Sequence, residues 1–191
     1  MKPARILATI LATAALTFAF ICASPGRADD DEDDGPHRRG PAGTPCFDVR
    51  ATISVRFATD ACDSVVGLCT RGTVRSRGAG FLRGTTRFRA TGLGGGVVGE
   101  ASIVTPPAEP PTTWAYSGEL SIATALGTLE LEDAGVFDTA RGTFTELNRA
   151  VGGTGVFRGA TGDLFIFGYA HDDFGGFDGT IRGDLCVSRR W

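Results

Sequence analysis

Two sets of side chains in this 191-residue chain recur at a spacing of two, which places the first on the same alternating face of two successive strands and the second on one face of a single strand. The first is Arg75, Arg77, Arg87 and Arg89, accompanied at the same alternation by Thr73, Thr85 and Thr91. Neighbouring guanidinium groups suit a bidentate grip on a carboxylate, which makes Arg87 and Arg89 candidate ligand-binding residues. The competing reading is an outward charged face that keeps the protein soluble, with Glu119, Glu130 or Glu132 opposite to relieve the repulsion. The second set is Trp114, Tyr116, Leu120 and Ile122. It lines either a cavity, with Trp114 and Tyr116 as the ligand contacts, or an ordinary packed core.

The remaining chemistry-bearing residues are sparse. Asp48 and Asp184 fall near the two ends of the domain, and in a closed barrel the terminal strands are neighbours. A close carboxylate pair there would raise one pKa into a range useful for proton transfer, whereas two surface acids would do nothing of the kind. His171-Asp172-Asp173 precedes Gly175-Gly176 and reads either as a metal-binding trio or as a polar turn. Two His in the whole chain leave no Ser-His-Asp arrangement to assemble, and no GxSxG, HExxH, Walker or dinucleotide fingerprint occurs. No catalytic residue is assigned, and neither a metal nor a cofactor is expected.

The elements that must position these residues begin after a leader. Lys2 and Arg5 precede an apolar run, Ile6 to Ala23, followed by Gly26-Arg27-Ala28, the pattern of a secretory signal peptide over residues 1–28, cleaved after Ala23 or Ala28. An uncleaved anchor is the alternative, and a lipid attachment at Cys22 is disfavoured by the bulky Ile21 before it. Once cleaved, the chain has no expected membrane association, and its location is secreted or periplasmic. Asp29 to Asp34 and the Pro/Gly-rich stretch after it form an expected disordered linker over residues 29–45, since no apolar side chain there offsets ordering entropy. Six adjacent acids without a shaping loop do not build a calcium cage. The folded part, residues 46–191, is then nearly neutral and free of Lys, which gives no electrostatic footprint for nucleic acid.

Cys46, Cys62, Cys69 and Cys186 are an even set in an exported chain and are expected to form disulfides. Four cysteines allow three connectivities. Cys62 and Cys69 are spaced to close a short loop, and a Cys46–Cys186 bond would join the ends of the domain. Zinc is the alternative, although the spacings contain no CxxC knuckle.

From Phe47 the apolar pattern has period two. In Val49 to Phe57 the odd positions are apolar and the even ones polar. Further strands are expected at Leu68–Ser76, Phe81–Thr91, Val97–Val104, Thr113–Leu126, Thr128–Phe137, Gly142–Ala150, Leu164–Ala170 and Phe177–Val187, with no amphipathic helix. Thr105-Pro106-Pro107-Ala108-Glu109-Pro110-Pro111 reads as a longer loop. Such a count of strands joined by short turns fits an antiparallel barrel or a sandwich. Leu164 to Tyr169 is apolar on both faces, which favours a barrel with a filled interior and an outer cover, a homo-oligomer being one way to supply that cover.

Val151-Gly152-Gly153-Thr154-Gly155-Val156-Phe157-Arg158-Gly159-Ala160-Thr161-Gly162 resembles the GGTG-x-F-x-x-A-x-G signature of the allene oxide cyclase and dirigent barrel families. Gly135-Val136-Phe137-Asp138 and Gly142-Thr143-Phe144-Thr145-Glu146 are similar to segments just before it in those families, and the resemblance covers Gly118 to Tyr169. Gly152, Gly153, Gly155, Gly159 and Gly162 permit positive φ, while Phe157 and Ala160 are suited to plugging a barrel end. The resemblance implies an eight-stranded antiparallel β-barrel whose lumen accepts a small hydrophobic or phenolic molecule. Three roles follow for such a lumen: a binding site without chemistry, an isomerase/cyclase-type or stereo-directing catalyst, or a filled structural module. The family's catalytic residues do not transfer, because the match does not reach the segments that would bear them.

Overall fold

A computed structural model describes residues 44–76, 81–95 and 112–187, and the backbone of Arg38–Arg39. The expected leader, most of the linker, the Val97–Val104 strand and the proline-rich loop lie outside the described residues. Alternation of apolar and polar residues produces eight long antiparallel strands: β2 (Pro45–Phe57), β3 (Cys69–Ser76), β4 (Arg83–Gly95), β5 (Thr113–Thr124), β6 (Gly127–Asp138), β7 (Thr143–Gly153), β8 (Thr161–Ala170) and β9 (Gly176–Cys186). Each pairs with its neighbour in sequence, and β9 pairs back on β2 from Cys46↔Cys186 to Arg56↔Gly176, closing the sheet. The protein is thus an eight-stranded antiparallel β-barrel, to which a two-residue strand β1 (Arg38–Arg39) adds through Cys46 and Pro45.

Closure sorts every strand into two faces. In β2, Val49, Ala51, Ile53 and Val55 are buried and Arg50, Thr52, Ser54 and Arg56 are exposed. The same inner layer gains Val74, Phe88, Leu120, Ile122, Leu129, Leu131, Leu164, Ile166 and Ile181 from the other strands. Two bulges adjust the phase. Thr91 has no partner between the Ala90↔Gly118 and Gly92↔Ser117 pairs, so Leu93 turns inward beside Tyr116. Val151 is similarly left over between the Leu131↔Ala150 and Glu130↔Gly152 pairs, and its side chain is exposed.

One end of the barrel is plugged. After β7 the chain makes a single 3-10 turn, Gly155–Phe157, that drives the fully buried Phe157 into the barrel end beside Leu82, Ala160 and Val187. Phe81 packs tilted against Phe157 at 6.1 Å and edge to face against Phe47 at 5.6 Å. Gly153 and Gly155 make the reversal feasible. Both have positive φ, and a side chain on either would run into the carbonyl of Thr128 or Leu126. Cys46–Cys186 bridges the first and last barrel strands at this end, 140 residues apart in sequence. In the chain-entropy account a loop of that length contributes on the order of 5 kcal/mol.

Among the described residues the outer face is mostly polar and holds an apolar stripe, where Phe165, Phe167 and Tyr169 of β8 are 53%, 46% and 67% exposed beside Leu147 and Val151 of β7. Leu164 and Ile166 of the same strand point inward and are buried, as a strand with two apolar faces requires.

Candidate lumen site

Away from the plug the lumen stays open, as a cavity of about 290 Å³. Its walls are aromatic and aliphatic, with Phe57, Phe88, Trp114, Phe137, Phe144 and Phe177 prominent among them. The rings hold one another: Phe177 packs at 5.2 Å against each of Phe57, Phe137 and Phe144, mostly edge to face. Among the described residues the cavity lies at the end bearing the Cys62–Cys69 loop and the turns at residues 139–142 and 171–175. Cys62 and Cys69 are joined in a disulfide, and Ser64 braces their loop by donating to the Ala90 carbonyl at 2.6 Å while accepting from the backbone of Val66 and Leu68.

Into this apolar space project Tyr116, Asp133 and Glu146. Three neighbouring strands place them. Tyr116 of β5 pairs with Gly135 of β6, which pairs in turn with Glu146 of β7, and the absence of a side chain at Gly135 lets the phenol lie across β6. A Cβ at Gly135 would stand 2.5 Å from the Tyr116 ring. The Tyr116 hydroxyl therefore crosses to Glu146 and donates to its Oε1 at 2.6 Å. One row deeper, Gly118, Asp133 and Asn148 are aligned, and Phe88 fills the space over Gly118. Asn148, completely buried, reaches Glu146 Oε2 with its amide at 3.5 Å.

Asp133 is 5% exposed, and neither of its oxygens meets a partner in hydrogen-bonding geometry. It faces Glu146 and Asn148 electrostatically rather than through well-formed bonds. Burial, then the Glu146 charge, pushes its pKa up to about 9. Burial likewise raises Glu146, opposed by the hydrogen bonds from Tyr116 and Asn148. Glu146 borders the lumen and keeps some accessible surface although it lies deep inside the protein. Because Glu146 already accepts from Tyr116 and Asn148, the proton of the pair belongs on Asp133. Tyr116 is held in its neutral form by burial and by the same Glu146 charge. The cluster thus combines a buried neutral acid, a hydrogen-bonded carboxyl beside the cavity and a phenol, an arrangement able to donate, accept or transfer a proton.

The residues singled out by spacing separate cleanly. Trp114 and Tyr116 line the cavity, and Leu120 lies in the same wall. Arg87 and Arg89 alternate with the inward Thr86 and Phe88 and project from the outer face, where Arg89 binds Glu119 at 2.7 Å and Asp63 at 3.6 Å. They supply no charge to the lumen; Arg75 is likewise exposed, and Arg77 lies outside the described residues. Asp48 and Asp184 are register partners, as closure requires, but both are exposed on the outer face near the plugged end, with Asp48 bound to Arg50. His171 pairs with Asp178 at 3.2 Å and Asp173 with Arg56 at 2.9 Å, and among the described residues no His/Cys/Asp/Glu group is disposed to hold a metal.

Asp133 and Glu146 escape a search for motifs because neither belongs to one. Their signal is one of phase: each is an acid at an inward position, Asp133 after Leu129 and Leu131, Glu146 after Phe144. Comparison with models of protein families, with curated proteins and with solved structures finds no match.

Proposed function

We propose that this is an exported barrel protein that holds a small hydrophobic or phenolic molecule in its lumen. The observation that carries the reading is the aromatic-lined cavity of about 290 Å³, which a purely structural barrel of this size would fill with side chains. The leader-like N-terminus and the two disulfides support passage to an oxidising compartment. The resemblance of the Gly152–Gly162 stretch to allene oxide cyclase and dirigent barrels supports the same use of the lumen. The test is a titration with the uncharged naphthalene fluorophore prodan. A blue-shifted, saturable emission at one site per chain is expected, and no enhancement with folded protein overturns the reading.

A second reading, an isomerase/cyclase-type or stereo-directing catalyst, is favoured by Glu146, a carboxyl of raised pKa that is accessible from the lumen and backed by Tyr116. Native mass spectrometry of protein from its own host is the test. The Glu146→Gln variant is expected to retain a bound compound that the wild-type protein converts to an isomer; identical compounds in both overturn catalysis and leave binding intact.

A further inference from the structure

The polar corner of the lumen is acidic and, among the described residues, has no counter-ion. Tyr116, Asp133 and Glu146 are joined in the cavity wall by hydrocarbon and by Thr70 and Thr139, with no Arg, Lys or His among the described lining residues. The groups facing Asp133 are Tyr116 from β5 and Glu146 and Asn148 from β7, none of which is a cation. Asp133 itself is more than nine-tenths buried, lines the lumen and lacks any partner for either oxygen. A buried carboxyl in that state stays protonated until a positive charge arrives.

We infer that the lumen ligand is an apolar or aromatic amine bound as its ammonium ion, its charge set against Glu146 and Asp133. The inference rests on the lumen-binding reading and adds the charge of the ligand to it. Three features of the wall agree. The carboxyls lack the cation that an ammonium supplies. The surrounding rings, Trp114, Phe88 and Phe144 among them, supply π systems, whose faces attract a desolvated cation, and apolar surface for its hydrocarbon body. A carboxylate ligand is excluded, since it would be buried against two acids with no basic group to hold it. Entry of the ammonium ion favours ionised Asp133, so one proton leaves for solvent as the ligand binds, and affinity rises with pH until the ligand's own amine deprotonates.

Tryptamine, tryptophol and indole-3-propionate share a ring and present a cationic, a neutral and an anionic head. Calorimetric titration of the full chain at neutral pH, in two buffers of different ionisation enthalpy, reads both affinity and proton release. Tryptamine is expected to bind about ten-fold or more tighter than tryptophol, with indole-3-propionate not binding. The tryptamine enthalpy is also expected to differ between buffers in the sense of proton release. Asp133→Asn should remove the proton release, and Glu146→Gln the preference for the amine, while the far-UV circular dichroism and cooperative thermal unfolding of each variant report a folded barrel. Tryptophol binding as tightly as tryptamine overturns the inference, as does amine binding without proton release. Prodan binding with no indole bound overturns the amine and leaves the lumen reading standing; no binding of prodan removes both.

Discussion

At the plugged end of the barrel Phe157 is fully buried against Phe81, in the core that also holds Leu82 and Val187, whereas at the open end Phe57 and Leu93 keep 41% and 48% of their surface exposed. Both ends are rich in apolar side chains, so hydrophobic content does not set them apart. The difference lies in the backbone: a glycine-permitted reversal delivers a lid to one end, and among the described residues no side chain enters the other in the same way. The cavity that results is also where Asp133, Glu146 and Tyr116 sit. The plugged end strengthens the fold, and the open end holds buried acids that weaken it, a division expected where a site is retained at a cost in stability.

Truncation tests the plug most severely. Phe157→Ala should cost about 3–5 kcal/mol in urea denaturation, against less than about 1 kcal/mol for Phe57→Ala. Equal losses would show that both ends are packed alike. The next largest effect is a gain. Folded Asp133 holds its proton up to a pH of about 9, far above the ordinary carboxylate range of the unfolded chain. The stability tied to that proton is fully present below the ordinary range, is lost as pH rises towards 9, and changes no further above it. Asp133→Asn should flatten this slope and exceed the wild-type protein in stability by about 2 kcal/mol or more at pH 9, with little difference at pH 4. Parallel stability–pH curves would mean that Asp133 is not held neutral. Tyr116→Phe removes one hydrogen bond to Glu146, and a loss of about 1 kcal/mol is expected; an unchanged midpoint would dissolve the Tyr116–Glu146 link. Smallest of all, Arg87→Gln on the outer face should leave both prodan affinity and thermal stability as they were. Weakened binding there would return a basic residue to the site.

Much of the barrel is legible in the alternation. Val49 to Phe57 announces its inner and outer faces, the odd-numbered arginines of β4 fall outward with the phase of Phe88, and Leu164 to Tyr169 declares two apolar faces. The acids of the lumen are legible only in part. Asp133 and Glu146 stand at inward positions of their strands, but their meeting with Tyr116 depends on register across three strands and on the gap left by Gly135, which no local window contains. The Val151 bulge shifts that register further, and a one-residue offset is invisible to a pattern of period two until the partner strand is known.

The unpaired Thr91 in β4 carries a consequence for how this chain can change in length. Ala90 and Leu93 both face inward although they are three positions apart, because Thr91 is surplus to the pairing with β5. Removing Thr91 would restore simple alternation and return Leu93 to the same wall, so a one-residue deletion there is silent to the lumen. A deletion anywhere in the uninterrupted run from Leu129 to Phe137 would instead turn part of the wall, Asp133 or its neighbours, out towards solvent. Tolerance to insertion and deletion in this barrel is therefore set residue by residue along each strand, and is greatest where the pairing already contains a spare residue.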